Sequence, residues 1–276
     1  MQKTIAEMSK IEEPYFLYYS PYAVHTPIQP IQSLLIKYEG KSSHLGQSNA
    51  EYATMVENLD RNIGLLFQAL KQNQKLENTL IIFVSDNGGL KGITDQQPLR
   101  SGKGSYYEGG IRVPFFFIWD GKIQKATKNQ SLISNLDIFP TILEAAGIDQ
   151  KGLSLDGENL MPLLERKEEL TQRALFWHFP IYLEAYQYGQ NETRDPIFRT
   201  RPGSAMRYGN WKLHYYFENN EVELFNLEDD ISESSDLSTI LPEKKDELLK
   251  ILKEWWAKTG APIPETKNPE YSSQNE

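Results

Sequence analysis

Residues 81–89 read IIFVSDNGG, and residues 99–114 read LRSGKGSYYEGGIRVP. The first stretch is an apolar strand that runs directly into two hard oxygen donors, Asp86 and Asn87. They stand at the carboxyl end of the strand, where open α/β sheets bind ligands. The second stretch places Lys103 between two glycines, which let the backbone approach a bound anion closely. Together the two stretches suggest a metal-plus-cation site for a tetrahedral oxyanion.

Each stretch also has a plainer interpretation. The tetrapeptide Asp-Asn-Gly-Gly suits a simple turn, and a lone Gly-Lys-Gly suits a solvated loop. The run Tyr-Glu-Gly-Gly-Ile-Arg-Val-Pro that follows Lys103 and leads into a strand weakens the second interpretation. Calcium takes about 6–8 oxygen ligands, so Asp86 and Asn87 would need further ligands from elsewhere.

Composition restricts the classes of partner. The 276-residue chain has a formal net charge of −9 and no cysteine. An acidic chain is a poor candidate for binding nucleic acid, so a bound anion must be held by local cations. Without cysteine there is no disulfide, thiolate metal site or cysteine nucleophile. No apolar run reaches the roughly 20 residues that cross a bilayer, and the first ten residues lack the apolar region of a signal peptide. We expect no membrane partner.

The N-terminal part alternates predicted strands and helices. Apolar residues at steps of three and four over residues 52–70 predict a helix, and residues 48–51 have capping-box spacing. A second helix stops at Gly147. This alternation favours an α/β fold with a mostly parallel sheet flanked by helices. The predicted strands are residues 15–19, 79–84 and 113–119, and the second helix is residues 136–146.

After about residue 165 the pattern changes to a small antiparallel sheet with one covering helix. A hairpin turns at Gly209-Asn210, and Leu248, Leu252 and Trp255 lie on one face of the predicted helix. We therefore predict an α/β domain over residues 1–165 and a small α+β subdomain with an extended tail over residues 166–276. The predicted strands are residues 174–179, 204–208, 211–217 and 223–226, and the helix is residues 243–257.

Two histidines are candidates for chemistry. His25 follows a predicted strand, where it could donate a proton to a leaving oxygen near neutral pH. Taken alone, its position slightly favours a surface or capping histidine. His178 lies between a tryptophan and a phenylalanine and suits either a core histidine or a substrate contact. His44 and His214 give no reason to expect a functional role.

Taken together, these segments resemble the sulfatase family of the alkaline-phosphatase superfamily. The similarity covers nearly the whole chain in the expected order. The run from Gly-Lys-Gly to Arg-Val-Pro is its most specific part. The other matching segments are residues 25–27, 52–60, 85–89, 136–143, 155–157, 177–180, 210–213 and 223–227.

The resemblance implies a role for each matched position. Asp86 and Asn87 would be ligands of an active-site calcium ion. Lys103 would hold the sulfate oxygens and the bridging oxygen, which His25 would also contact. Either side chain could protonate the departing alkoxide, because an aimed cation or acid stabilises charge that develops in the transition state. The implied activity is that of an arylsulfatase-like sulfuric ester hydrolase.

The sequence departs from the family pattern at the nucleophile. Sulfatases use a formylglycine made from Cys or Ser in a Cys/Ser-x-Pro-x-Arg motif, and this sequence contains no such motif. The family's early Asp-Asp calcium ligands and its Gly-Lys-Trp-His segment are also missing. We therefore expect this chain to be the C-terminal portion of a sulfatase, with a missing N-terminal half as its partner. Alone, it is expected to be poorly stable and inactive. Soluble monomeric expression with a sharp, cooperative melt would count against this expectation.

Two other functions stay open. The chain could be a remnant that binds a sulfated glycan without cleaving it, or it could belong to a phosphodiester or phosphonate hydrolase of the same superfamily. The shape of the Gly-Lys-Gly loop favours sulfate. A sulfated sugar is the expected substrate, and its subsite could be lined by His178 and Arg194 together with Tyr186, Tyr188 and Asn191. Full-length relatives are generally exported and are expected in the periplasm or outside the cell, whereas the sequence of this chain does not determine its own location.

Overall fold

A computed structural model describes residues 2–8, 10–185 and 192–266 of the chain. Helices dominate its first part and antiparallel strands its last. None of the described helices is both long and apolar enough to cross a membrane. The helices are α1 (Gln2–Met8), α2 (Gln32–Leu35), α3 (Ala50–Gln72), α4 (Glu108–Ile111), α5 (Ile138–Ala145), α6 (Met161–Leu164) and α7 (Pro242–Thr259). The strands are β1 (Ile81–Val84), β2 (Phe115–Ile118), β3 (Ala174–Phe179), β4 (Leu183–Glu184), β5 (Phe198–Thr200), β6 (Gly203–Tyr208), β7 (Trp211–Tyr216) and β8 (Glu221–Asn226).

The chain divides into two compact units. The first unit comprises Met1–Ser85 and Pro114–Leu170, and the second comprises Asp86–Val113 and Thr171–Glu276. The predicted boundary at residue 165 falls close to Leu170. Residues 86–113, which the sequence analysis assigns to 1–165, group instead with the C-terminal part of the chain. The division into two domains stays a prediction.

In the first unit, α3 forms where the periodicity predicts a helix. Asn49 has an extended backbone, and its side-chain oxygen accepts a hydrogen bond from the backbone N–H of Tyr52 at 2.9 Å. The cap is therefore Asn49 and not Ser48, one residue later than the predicted capping box. The helix buries Met55 and Leu70, both on the predicted apolar face.

Strands β1 and β2 pair antiparallel, with Ile81 opposite Ile118. The order of the elements favours a mostly parallel sheet, but all strand pairs in the described residues are antiparallel. For β1 and β2 the reason is local. The backbone N–H of Ser85 donates to the carbonyl of Pro114 at 3.4 Å, so the chain leaves and re-enters this unit at one point. Strand β2 must then run back along β1.

The predicted strand at residues 15–19 is wrong. The segment forms no strand with any other described residue. Its side chains are held unevenly: the Tyr15 hydroxyl lies 2.7 Å from Thr79 Oγ1, whereas Phe16 and Tyr18 are 70% and 81% exposed. A strand needs a neighbour to satisfy its backbone N–H and C=O groups, which an apolar run alone does not supply.

The second unit contains the predicted antiparallel sheet, in the strand order β3-β6-β7-β8. Strands β6 and β7 form a hairpin in which Tyr208 is opposite Trp211, so Gly209-Asn210 is the turn that the sequence predicts. Gly209 adopts φ +58°, a conformation that glycine reaches without strain. All of the strands and the hairpin predicted after residue 165 are confirmed.

Helix α7 covers this sheet. Leu248 and Leu252 are fully buried and pack against Met206, Leu213 and Leu224 of the strands. The third buried residue of the helix is Trp256, which is 7% exposed, and not Trp255 as predicted. Trp255 instead stacks on Phe176 with ring centroids 4.8 Å apart. The second unit thus has a core of its own.

Candidate active site

The turn that follows β1 presents its two polar residues differently. Asp86 is exposed, and Asn87 is half-buried. The side-chain amide of Asn87 donates to the carbonyl of Gly88 at 2.9 Å, which fixes the orientation of that amide. A fixed amide and an adjacent carboxylate offer two hard oxygens on neighbouring residues of the second unit.

Backbone hydrogen bonds join this turn to the loop that carries Lys103. The N–H of Gly88 donates to the carbonyl of Gly110, and the N–H of Lys103 donates to the carbonyl of Gly89, both at 2.9 Å. The approach is so close that a Cβ on Gly88 would lie 1.8 Å from the carbonyl oxygen of Gly109. The structure therefore brings the Asp-Asn turn and the Gly-Lys-Gly loop together, as the sequence suggests.

The Lys103 loop, residues 100–107, is closely packed. Ser101 and Ser105 are 1% and 5% exposed, and both the N–H and the hydroxyl of Ser105 donate to the carbonyl of Gly102. Ser101 adopts φ +65° and Gly104 φ +91°. Lys103 itself is half-buried, and its carbonyl accepts a hydrogen bond from the Arg199 guanidinium at 3.4 Å. The loop has one defined backbone path.

His25 belongs to the first unit. It is exposed, and its Nδ1 lies 2.7 Å from the carbonyl oxygen of Thr26. Its ring also contacts Tyr22, with centroids 5.2 Å apart. A contact of Nδ1 with a carbonyl oxygen, which can only accept, indicates that Nδ1 carries the proton.

His178 lies on β3 of the second unit, and the chain itself contacts both of its ring nitrogens. Nδ1 lies 2.7 Å from the hydroxyl of Ser204, and Nε2 lies 3.0 Å from the carbonyl oxygen of Pro262. Because that carbonyl can only accept, Nε2 carries the proton in this arrangement. The Ser204 oxygen in turn accepts a hydrogen bond from the Trp256 indole at 2.9 Å.

Burial lowers the pKa of His178 below its ordinary value of 6.5, and the Pro262 carbonyl offsets this only in part. The unfolded chain then binds more protons than the folded one just below pH 6.5, so this contribution to stability is complete above pH 6.5 and decreases as the pH falls. We expect the urea midpoint to drop more steeply between pH 7 and pH 5 in the native chain than in His178→Gln. Parallel midpoint curves would contradict this assignment.

Arg194 also lies in the second unit. Its guanidinium pairs with Glu221 and lies over the ring of Tyr216, 4.2 Å from the centroid. It lines a cavity of about 10 Å³, which has room for one water molecule and not for a sugar ring. Tyr186, Tyr188 and Asn191, proposed with it as a sugar subsite, lie outside the described residues.

The donor set fits a calcium ion only in part. Asp86 and Asn87 can supply two oxygens of the roughly 6–8 that calcium takes. Within residues 2–8, 10–185 and 192–266, no group of three or more His, Asp or Glu side chains could hold a metal ion. Asp86 and Asn87 thus have no set of further His, Asp or Glu ligands around them within these residues.

Three charged residues near the Lys103 loop were given no role by sequence reasoning. Glu108, Lys212 and Glu233 are at most 1% exposed, and Lys212 Nζ lies 2.9 Å and 2.8 Å from the two carboxylates. We call these three residues the anchor cluster. One signal was available: Lys212 lies within a strand whose other residues are mainly aromatic or apolar, and a lysine there is rarely buried without a partner.

Family models match both parts of the chain. The model described as Sulfatase matches residues 1–148, and the model described as N-sulphoglucosamine sulphohydrolase, C-terminal, matches residues 102–259. A sulfatase of Formosa agariphila is 34% identical over 283 residues, which covers 94% of this chain and 49% of that protein. The chain thus spans about half the length of this relative.

Solved structures give the same answer for the fold. Ps i-CgsB in complex with k-i-k-neocarrahexaose matches with a TM-score of 0.73 and 29% identity, covering 92% of this chain and 52% of that one. A phosphonate monoester hydrolase of Agrobacterium radiobacter matches with a TM-score of 0.57 and 25% identity, covering 76% of this chain and 41% of that one. The α/β, alkaline-phosphatase-like fold class is confirmed. Since the Sulfatase model alone matches more than half of the 276 residues, the chain belongs to the sulfatase family.

Proposed function

We propose that this chain supplies the sulfate-binding part of an active site that hydrolyses sulfuric esters. The observation that carries the proposal is the backbone connection of the Asp86–Asn87 turn with the Lys103 loop. It holds the backbone of Lys103 against Gly89, two residues after Asn87. A sulfuric monoester carries one negative charge, and the ammonium group of Lys103 can offset that charge locally, even on a chain with a net charge of −9.

In the proposed reaction the bond between sulfur and the bridging oxygen breaks, and the electron pair stays on the departing oxygen. The ammonium of Lys103 would contact the sulfate oxygens and this bridging oxygen. Because negative charge develops there in the transition state, the interaction strengthens as the bond breaks. Lys103 or His25 would then give the departing oxygen its proton, so that an alcohol leaves. The sulfuryl group would pass to a nucleophile that this sequence does not contain.

Asp86 and Asn87 would hold a calcium ion together with ligands from another polypeptide segment. When bound, the ion would add positive charge beside the sulfate oxygens. The formylglycine nucleophile of the family would come from the same segment, because the sequence has no cysteine and no Ser-x-Pro-x-Arg motif. The proposed partner of this chain is therefore the half of a sulfatase that precedes these residues in its relatives.

The surface of the first unit supports such a partner. Phe83 and Phe116 are opposite each other on β1 and β2, with ring centroids 5.9 Å apart, yet they are 37% and 56% exposed. A two-stranded sheet is marginal in water unless more strands or a helix cover it. Aromatic side chains left exposed in this way favour a covering segment.

We propose a sulfated carbohydrate as the substrate. The support is the similarity to Ps i-CgsB, whose structure is a complex with k-i-k-neocarrahexaose. Both proposed contact residues already contact the chain, Arg194 through Glu221 and His178 through both ring nitrogens. A sulfated sugar would compete with Glu221 for the Arg194 guanidinium. An unchanged glycan preference in Arg194→Ala and His178→Ala would remove both from the proposal.

Coexpression tests the proposed function. The chain would be produced with the N-terminal half of the Formosa agariphila relative and a formylglycine-generating enzyme, and the complex assayed on 4-nitrophenyl sulfate and carrageenan oligosaccharides. We expect sulfate release, measured by ion chromatography, from the complex and not from either half. A stable complex with formylglycine detected by mass spectrometry, but no hydrolysis, would contradict the proposal. Glycan binding without hydrolysis would identify a binding remnant.

The second candidate is a phosphonate or phosphodiester hydrolase. The similarity to the Agrobacterium radiobacter enzyme favours it, because that protein shares the fold. The same complex would be given aryl sulfate, aryl phosphonate and aryl phosphodiester substrates at equal concentrations. A higher kcat/KM for either phosphorus ester than for the sulfate would establish this alternative.

A further inference from the structure

The anchor cluster is an unusual arrangement for the interior of a protein. Lys212 bridges the carboxylates of Glu108 and Glu233, and Glu233 Oε2 accepts a hydrogen bond from the backbone N–H of Glu108 at 2.5 Å. Burial opposes ionisation of Glu233, but the charges of Lys212 and His214 outweigh it and lower its pKa. Buried charges are tolerated when each has partners at close range, so the geometry of the cluster is tightly constrained.

This cluster contacts both ends of the Lys103 loop. At the start of the loop, the Arg100 guanidinium donates to the carbonyl of Glu233 at 2.7 Å. At its end, Glu108 is the first residue of α4, and the next N–H, that of Gly109, donates to the carbonyl of Arg100 at 2.9 Å. Lys103 therefore lies on a short loop whose two ends meet at one set of buried charges.

Backbone conformation shows that the loop and the cluster are held against a local preference. Ser101 has φ +65° and Glu233 has φ +50°, although neither is a glycine. Both residues are at most 1% exposed. Left-handed conformations at such residues raise the free energy and persist where the surrounding contacts determine them. For Glu233 these contacts are its hydrogen bond with Glu108 and its ion pair with Lys212. Ser101 directly follows Arg100, whose guanidinium donates to the carbonyl of Glu233.

We infer that Glu108, Lys212 and Glu233 are positioning residues that fix the Lys103 loop on the antiparallel sheet. Their catalytic importance rests on the proposed function of Lys103. None of the three needs to touch the substrate. They act by restricting the loop to one backbone conformation, so that the ammonium group of Lys103 is already in position when the substrate binds.

Variants that change the charge of the anchor cluster can separate a positioning role from a general contribution to the stability of the fold. Glu108→Gln leaves Lys212 with one carboxylate, and Lys212→Met leaves two carboxylates without their lysine. Each single change should lower the melting temperature by about 10 °C, because it breaks a buried ion pair and unbalances the buried charges. Lys212 would keep Glu233 in the first variant, and Glu108 would keep Arg207 at 3.2 Å and Arg112 at 3.5 Å in the second. The double variant removes one charge of each sign, so its melting temperature should return close to that of the native chain. It still lacks the ion pair that begins α4.

Amide hydrogen exchange of the full chain is the decisive measurement. In the double variant we expect the N–H groups of Lys103 and Ser105 to exchange about tenfold faster than in the native chain. The N–H of Leu213, inside β7, should exchange as before. Native exchange rates at Lys103 and Ser105 in a double variant that melts normally would overturn the inference.

Leu252→Ala is the matched control. Leu252 is fully buried in the core between α7 and the sheet and is not part of the anchor cluster. Leu252→Ala should lower the melting temperature by about as much as Glu108→Gln does. The ratio of the amide exchange rate of Lys103 to that of Leu213 should stay unchanged. An equal change of this ratio in Leu252→Ala and Glu108→Gln would show that the loop merely follows global stability, and would reject a positioning role.

The native chain allows a test that needs no variant. If the cluster ties the loop to the sheet, exchange at Lys103 and Gly109 should become sensitive to low urea together with exchange at Leu213. Independent, urea-insensitive opening of the loop would contradict the inference.

In the assembled enzyme the double variant should lower kcat and change KM little. If no sulfatase activity is found at all, the proposed function fails, but the exchange results still decide the role of the cluster.

Discussion

Replacing Lys103 with methionine is expected to lower kcat/KM for sulfate ester hydrolysis about 10³-fold in the complex of both halves. Methionine keeps the length of the apolar stem and removes the charge. The loss should appear mainly in kcat, because the ammonium acts on charge that develops as the sulfur–oxygen bond breaks. The measurement is steady-state hydrolysis of 4-nitrophenyl sulfate, followed through released nitrophenol.

Two variants control this experiment. Lys253→Met removes an exposed lysine of α7 and should leave the kinetics unchanged. Lys103→Arg keeps the charge but replaces a compact ammonium with a planar guanidinium, and it should recover only part of the activity. A Lys103→Met enzyme within a factor of about three of the native kcat/KM would contradict the proposed role, since a single removed donor costs at least about 10² in comparable sites.

Replacing Gly88 with alanine is expected to destabilise the second unit by about 3 kcal/mol. The added Cβ would lie 1.8 Å from the carbonyl oxygen of Gly109 and 2.8 Å from its carbonyl carbon. Neither backbone can move freely, because Gly88 donates to Gly110 and Gly109 donates to Arg100. The measurement is the urea unfolding midpoint with its slope, followed by the exchange rate of the Lys103 N–H.

Gly64→Ala is the matched control for this variant. Gly64 lies inside α3, and a Cβ there would have no heavy atom within 4 Å. The same chemical change should therefore stabilise the chain by roughly 0.5–1 kcal/mol, because alanine favours the helix interior. Equal effects of the two substitutions would show that the close approach at Gly88 is not a constraint on the fold.

Local patterns predicted the individual elements well. The helix α3, the hairpin at Gly209-Asn210 and the covering helix α7 follow from periodicity and turn chemistry, which act within a few residues. Where two residues compete for one local position, the pattern is less exact. Asn49 caps α3 instead of Ser48, and Trp256 is buried instead of Trp255, in each case a shift of one residue.

Features that depend on distant residues could not be predicted in this way. The apolar run at residues 15–19 resembles a strand, but strand formation depends on a neighbour that no local pattern specifies. The direction of β2 relative to β1 depends on where residues 86–113 fold. Within the candidate site, Asp86, Asn87 and Lys103 were found from their motifs. Lys212 and Glu233 were missed because each is separated from Glu108 by more than a hundred residues.

The same separation has a consequence for synthesis on the ribosome. About 130 residues are added after Lys103 before Glu233 emerges to complete the ion pairs behind its loop. At roughly 5–20 residues per second, about 7 to 26 s pass between the synthesis of Lys103 and that of Glu233. During this time the anchor cluster is incomplete. The sulfate-binding segment is therefore among the last parts of the chain to acquire its structure, and a ribosome that stops short of β8 would release a polypeptide that contains every motif of the site but no organised loop.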